Sequence, residues 1–144
     1  MAEISAKDIG LYYNSGTTAI PVWKLIACST SDGFSGSTDA VTVSNKCEAG
    51  WVRSLPGDKS WSFSNSSYAQ KVPGVNQYSY DDIFDLWVGD TIGQWKLESI
   101  TPGEYLRIGD GWISDLGESA ESGDYLTFDI TITGSGAVTN VVTT

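Results

Sequence analysis

The residues best suited to acid–base chemistry in this chain are two groups of carboxylates. They are Asp81, Asp82 and Asp85 in one stretch, and Glu118, Glu121 and Asp124 in another. A pair of carboxylates can hydrolyse a glycosidic bond, one acting as general acid and the other as nucleophile or base. However, aspartates at the start of a helix stabilise its positive end, and acidic residues in a turn are usually solvated. We therefore interpret both groups as structural.

Other common catalytic and metal-binding patterns are missing from the sequence. None of the 144 residues is a histidine, which removes the commonest general base and the commonest metal ligand. Serine has no GxSxG context, and Gly109-Asp110-Gly111 is not followed by the GK[ST] of a phosphate loop. Asp110, Ser114 and Asp115 do not complete a calcium loop. We expect neither a cofactor nor a metal.

The net charge of −10, with only eight basic residues, argues against a surface that grips nucleic acid or an anionic membrane. No apolar run reaches membrane-spanning length. Cys28 and Cys47 could form one disulfide, but residues 1–5 do not resemble the start of a secretory segment. We therefore predict two reduced thiols in a protein made in the cytosol.

The elements that would hold these residues are mostly strands. Residues 41–63 predict a strand, a turn, a corner at Leu55-Pro56-Gly57 and a second strand. In that second strand Lys59, Trp61 and Phe63 alternate with serines, which is typical of a half-buried strand. Residues 20–29 predict a strand buried on both faces, and residues 29–38 a polar loop.

One helix is predicted over residues 79–88, capped by Ser79 with Asp82 at the capping-box position and ended by Gly89. Its apolar face is expected to cover the sheet face that carries Trp61 and Phe63. The residues of that apolar face are Tyr80, Ile83, Phe84 and Trp87.

The C-terminal third predicts a strand over residues 93–98, a hairpin turn at residues 109–111 and a final strand. In the final strand Leu126, Phe128, Ile130 and Ile132 face the core, and the apolar tail after it can pair with another strand, a partner's included. The whole pattern predicts a single mainly β domain over residues 1–144. Its fold is a β-sandwich or barrel of about seven or eight strands with one flanking α-helix.

Six tryptophans in a small acidic β-protein also suggest an alternative function, a carbohydrate-binding β-sandwich module of the adhesin type. Exposed aromatic rings stack on sugars, but most of these tryptophans lie on apolar faces of predicted elements. Only Trp51 and Trp112, next to glycines, are free candidates for such stacking.

Short motifs in residues 41–63 resemble the major tail tube proteins of long-tailed phages. The motifs are Val41-Thr42-Val43, Lys46, Gly50-Trp51, Leu55-Pro56-Gly57 and Lys59-Ser60-Trp61. The segment VWKLIACSTSD and the C-terminal ESAESGDYLTFDITITGSG are similar to the same family, whereas residues 65–77 depart from its pattern.

This resemblance implies a structural virion protein without enzymatic activity, made in the host bacterial cytoplasm and located in the phage tail. Family members form hexameric rings that stack into a hollow tube, through which DNA passes without specific binding and without a membrane role. Further partners would be the tape measure, terminator and distal tail proteins. The inner tube of a contractile injection system is a related possibility.

The resemblance and the charge pattern together suggest two sets of functional residues. A negative lumen would keep DNA from binding during ejection, and acids on strands or at strand ends are candidates to line it. The channel-lining candidates are Asp39, Glu98, Asp124 and Asp129. The inter-subunit contact candidates are Phe34, Trp51, Leu55, Val141 and Val142.

Overall fold

A computed structural model describes residues 3–17, 19–26, 29–43, 50–71, 74, 76–101 and 103–140. A 3-10 helix covers Ala6–Asp8. The strands are β1 Ile9–Asn14, β2 Trp23–Ile26, β3 Ser29–Val43, β4 Arg53–Tyr68, β5 Gln77–Tyr78, β6 Gly93–Ser99, β7 Leu106–Ser119 and β8 Thr127–Thr139, with one α-helix, α1 Tyr80–Val88. Among these described residues no helix is long and apolar enough to cross a membrane.

All eight strands belong to one sheet in the order β3-β4-β8-β7-β6-β1-β2-β5. Neighbours are antiparallel except β2 and β5. The sheet folds over so that β3 meets β1 and β6 across the core, although they are not neighbours in the sheet. The mainly β prediction with one flanking helix is confirmed.

The core is built from the alternating strands that the sequence predicts. Trp61 and Phe63 of β4 are 7% and 0% exposed, and Phe128, Ile130 and Ile132 of β8 are buried beside them. The remaining buried apolar side chains of this cluster come from β1, β2, β6, β7 and α1. They are Leu11, Tyr13, Ile26, Ile83, Trp95, Leu97 and Ile113.

The Trp61 ring packs closely against glycines. Its indole N–H donates to the Gly136 carbonyl at 2.8 Å. A Cβ built on Gly134 would overlap the five-membered part of the indole, and one on Gly109 would lie 2.6 Å from Trp61 Cζ2. Because real Cβ atoms almost never approach closer than 3.0 Å, both positions require glycine while the ring keeps its place.

Helix α1 has the predicted start and end. The Ser79 N–H donates to the Asp82 carboxylate at 3.2 Å, and the Gly89 N–H donates to the Asp85 carbonyl at 3.1 Å. Ile83 is fully buried in the same core as Trp61 and Phe63.

The predicted apolar face of α1 is partly wrong. Phe84 and Trp87 are 46% and 42% exposed, while Tyr80 and Leu86 pack partly buried against the core. The helix contacts the sheet mainly at β7 and β5, so a narrow arc of side chains around Ile83 suffices to cover that part of the sheet.

Three predicted interruptions of the sheet are wrong. Residues 29–38 belong to β3, the predicted corner at residues 55–57 lies inside β4, and the predicted hairpin turn at residues 109–111 lies inside β7. Pro56 is tolerated because β4 is paired only with β3 there, and a strand with an open edge can lack one backbone donor.

The predicted strand over residues 20–29 is shorter and less buried than expected. β2 begins at Trp23, and only Ile26 in it is fully buried, while Ile20 and Val22 are 75% and 41% exposed. The reason is its position next to β5, a two-residue edge strand that cannot cover it. Cys28 and Cys47 lie outside the described residues.

Candidate assembly surfaces

The β3–β4 pair extends well beyond the rest of the sheet. β4 pairs with β8 only from Ser62 to Tyr68, whereas the β3–β4 ladder continues from Ser37↔Ser60 to Val43↔Arg53. We call this two-stranded extension, residues 37–43 and 53–60, the arm. A two-stranded ribbon is marginally stable alone in water, so the arm is suited to packing on something else.

One side of the arm is apolar and exposed. Val41 pairs with Leu55, and Val43 lies two residues along on the same face. These side chains are 40–49% exposed, and next to the arm Trp51 and Val52 are 79% and 59% exposed. Exposed apolar side chains grouped in this way are typical of interaction surfaces. Two predicted inter-subunit contacts, Trp51 and Leu55, lie in or beside it.

The other predicted contacts lie elsewhere. Phe34 is half-buried, with ring centroids 6.4 Å from Trp61 and 5.7 Å from Phe63, so it packs within its own subunit. Val141 and Val142 lie outside the described residues. Just before them, Val138 pairs with Gly109 of the same chain.

The four acids predicted to line a channel do not share one face. Asp39 is on the arm, Asp124 is in the turn before β8, and both are exposed. Asp129 is exposed on β8 between Ser66 of β4 and Gly117 of β7. Glu98 lies on β6, which is separated from β8 by β7 in the sheet.

Glu98 is paired with a cation. Its Oε1 is 3.3 Å from Lys96 Nζ, and that ammonium lies 4.4 Å from the centroid of the Trp23 ring and 5.1 Å from that of Tyr12. Burial, and then the negative charge of Glu98, raise the pKa of the Tyr12 phenol. Because Lys96 balances its charge, the Glu98 side chain adds little net charge beyond these immediate neighbours.

A buried polar cluster links the start of β3 to β4. Asn65 Nδ2 donates to Ser29 Oγ at 3.1 Å and to Asp32 Oδ1, and Ser67 Oγ donates to Asn65 Oδ1 at 2.6 Å. Ser29 Oγ donates to Asp32 Oδ2 at 2.7 Å, so the carboxylate is satisfied by neighbours. The cluster fastens two strands together and offers no nucleophile–base pair.

Sequence reasoning misses this cluster because it interprets residues 29–38 as a loop. The sequence does contain one sign of the cluster: Asn65 and Ser67 occupy the same alternate positions of β4 as Trp61 and Phe63, which face the core. Across the described residues, no group of three His, Cys, Asp or Glu side chains is placed to hold a metal ion.

The two tryptophans proposed for sugar stacking are on separate elements. Trp51 is beside the arm and 79% exposed, and Trp112 is on β7 and 38% exposed. The aromatic ring contacts of the described residues do not join them. They do not form a shared platform for a sugar.

Comparison with known proteins identifies the family. Residues 3–140 match the model of the family described as phage tail tube protein, so the chain belongs to the phage tail tube protein family. A search of curated proteins finds no match.

Solved structures with the same fold come from phage-like particles. A chain in the virion of a native gene transfer agent (GTA) particle superposes with a TM-score of 0.76 at 15% identity, over 96% of this chain and 99% of that chain. A chain in the tail of an empty GTA particle, refined with C6 symmetry, gives 0.77 at 15% identity, with the same coverage. The SPP1 tail tube protein gives 0.75 at 14% identity, over 98% of this chain and 81% of that one. These likenesses confirm the tail-tube fold.

Proposed function

We propose that the protein is the structural subunit of a phage tail tube, a single-domain protein that assembles into stacked hexameric rings. Family membership supports this role, and the arm is the observation that carries it. Val41, Val43 and Leu55 expose apolar surface on a ribbon that, among the described strands, extends past the pairing of β4 with β8. A second copy of the chain is the natural cover for such a surface in a homo-oligomer.

The arm contact would be heterologous, with the apolar side of the arm packing on a different surface of the neighbouring subunit. Heterologous contacts close into rings when the rotation fits and continue as helical stacks when it does not. A tube of stacked rings needs both, a contact that closes each ring and a contact that continues from one ring to the next. The C6 symmetry of the GTA tail supports six subunits per ring.

We infer that the protein has no enzymatic role, is made in the host cytoplasm and is located in the virion tail. DNA would pass through the lumen without being held, since the chain carries a net charge of −10. Tape measure, terminator and distal tail proteins are the expected further partners in the assembled tail.

The test compares assembly of the purified protein with that of two matched variants by electron microscopy. Val41→Asp with Leu55→Asp places two charges on the apolar side of the arm. Thr42→Asp with Ser54→Asp places the same charges on the opposite side of the arm, at the next cross-strand pair. We expect tubes from the wild-type protein and the control, and folded subunits without tubes from the Val41/Leu55 variant. Normal tubes from that variant would contradict the role of the arm.

The carbohydrate-binding alternative predicts a different result. A protein that stays monomeric and binds immobilised glycans, with binding lost in Trp51→Ala or Trp112→Ala, would favour it over the tube subunit. A tube-forming protein without glycan binding would exclude it.

A further inference from the structure

Strand β4 carries the arm at one end and reaches a second exposed surface at its other end. It runs from Arg53 in the arm to Tyr68, and its sixteen residues of extended chain span about 50 Å. The two ends are therefore too far apart to contact each other within one subunit. Two different surfaces at opposite ends of one strand suit the head-to-tail stacking of identical subunits.

Two exposed tyrosines mark the end of β4 that lies away from the arm. Tyr68 is 41% exposed and Tyr125 is 77% exposed, and their rings meet edge to face at a centroid distance of 6.1 Å. The backbone beneath them is held in place, since the Ala69 N–H donates to the Leu126 carbonyl at 2.8 Å. The Tyr125 N–H also donates to the Asp124 carboxylate, at 2.7 Å. Tyrosines presented in this way lose little conformational freedom on binding, and they are common at the centre of protein interfaces.

The turn beside these tyrosines is acidic. Glu118, Glu121 and Asp124 are all exposed there. In the sequence, residues 108–144 contain no lysine or arginine. We call the two tyrosines together with this turn, residues 118–124, the tyrosine end. It combines aromatic surface with negative charge.

The arm has the opposite balance of charge. Residues 41–61 contain three basic residues, Lys46, Arg53 and Lys59, and only two acidic ones, in a chain whose net charge is −10. Arg53 is the cross-strand partner of Val43, so it lies on the apolar side of the arm. The apolar side of the arm and the tyrosine end are therefore complementary in charge, and both expose apolar surface.

We propose that the arm of each subunit packs on the tyrosine end of the next subunit along the tube, with Leu55 against Tyr125 and Arg53 against the acidic turn. This inference rests on the proposed tube function and names the partner surface of the arm, which belongs to a second copy of this chain. Because the two surfaces lie at opposite ends of the subunit, the contact repeats from ring to ring in one direction. One end of the tube is then left with free arms and the other with free tyrosine ends.

Crosslinking in assembled tubes tests the position of the contact. In a background with Cys28→Ser and Cys47→Ser, Val43→Cys places a thiol on the apolar side of the arm and Glu121→Cys places one in the tyrosine end, while Leu55 and Tyr125 stay intact. A short bismaleimide should join these thiols into covalent chains longer than six subunits, because each link connects one ring to the next.

The matched control moves the second thiol to α1, which carries the other exposed aromatic pair, Phe84 and Trp87, with ring centroids 5.9 Å apart. Val43→Cys with Asp85→Cys should give few covalent chains in tubes. If a cysteine pair prevents assembly, tubes assembled from a mixture of Val43→Cys and Glu121→Cys subunits should give crosslinked dimers, and a mixture with Asp85→Cys should not.

Substitutions at the tyrosine end test the chemistry. Glu121→Lys should raise the protein concentration needed for tubes several-fold, and adding Arg53→Glu to the same chain should lower it again, whereas Asp85→Lys on α1 should change it little. Tyr125→Ser should raise that concentration by about tenfold, and Tyr125→Phe should raise it less, because the phenylalanine ring keeps most of the contact. Sedimentation and electron microscopy measure the concentration.

The outcomes separate this inference from the proposed function. Absence of tubes from the wild-type protein would overturn both. Tubes in which the Val43/Asp85 thiols form long chains and the Val43/Glu121 thiols do not would place the arm on α1, and chains that stop at six subunits would place the contact within a ring. Either result would overturn the tyrosine end as the ring-to-ring partner of the arm and leave the tube function standing. Unchanged assembly of both Glu121→Lys and Tyr125→Ser would do the same.

Discussion

Replacing Gly134 by alanine tests whether Trp61 is as tightly held as its surroundings indicate. The new methyl group would overlap the indole ring, which has close neighbours of its own. Gly109 lies near Cζ2 of the ring, Phe63 packs at a centroid distance of 4.9 Å, and the indole N–H is bonded to Gly136. Overpacking of a tight core costs about 1–3 kcal/mol, and because the new Cβ would overlap three ring atoms we expect about 2–3 kcal/mol for Gly134→Ala.

Urea unfolding of the unassembled protein, followed by tryptophan fluorescence, measures this loss. With a slope of about 2 kcal/mol per molar urea, a loss of 2–3 kcal/mol lowers the midpoint by about 1–1.5 M. Gly117→Ala is the matched control, because a Cβ there meets nothing within 4 Å. It lies in a neighbouring strand and should be neutral or stabilising by about 0.5 kcal/mol.

A second substitution identifies the cause of the loss. In a Trp61→Phe background the smaller ring leaves room, so Gly134→Ala should cost at least about 1 kcal/mol less than in the wild type. Equal costs in both backgrounds, or a midpoint for Gly134→Ala no lower than that for Gly117→Ala, would refute the reasoning that a fixed indole dictates glycine.

Two further perturbations probe the helix start and the buried phenols. Ser79→Ala removes a buried hydroxyl that donates to the Gln70 carbonyl at 2.8 Å and accepts the Gln70 N–H at 3.0 Å. The free energy of unfolding should fall by about 1–3 kcal/mol, seen as a lower urea midpoint, whereas Ser79→Thr should lose less. Burial raises the pKa of the Tyr12, Tyr13 and Tyr78 phenols above the ordinary value of 10.0, so the folded state keeps these protons longer than the unfolded state. The stability that these phenols contribute is fully present below pH 10.0 and is lost as the pH rises through their folded-state pKa values. Urea unfolding measured across the alkaline range should therefore show a smaller loss of stability with pH in Tyr13→Phe than in the wild type. An unchanged slope in Tyr13→Phe would show that this phenol does not contribute.

Sequence patterns predict the core better than the connections. The alternation of Trp61 with Phe63, and of Phe128 with Ile130, identifies strands because each large side chain needs a buried face. Residues 29–38 give the opposite signal, since glycine and serine are typical of loops. They form a strand because β4 offers a long ladder of backbone partners, from Ser29↔Ser67 to Val43↔Arg53 with two register shifts, and that pairing is not visible in the local sequence.

The candidate surfaces show the same limit for a different reason. A search for chemistry in the sequence selects charged residues, so it finds Asp129 but also Glu98, whose charge Lys96 balances. The register between strands is needed to see that serines of β4 and threonines of β8 form one continuous surface.

The period that buries Trp61 and Phe63 also places serines on the opposite side of β4. Alternation gives each strand two independent rows of side chains, so β4 places aromatics in the core while its outward positions from Ser60 to Ser66 are all serines.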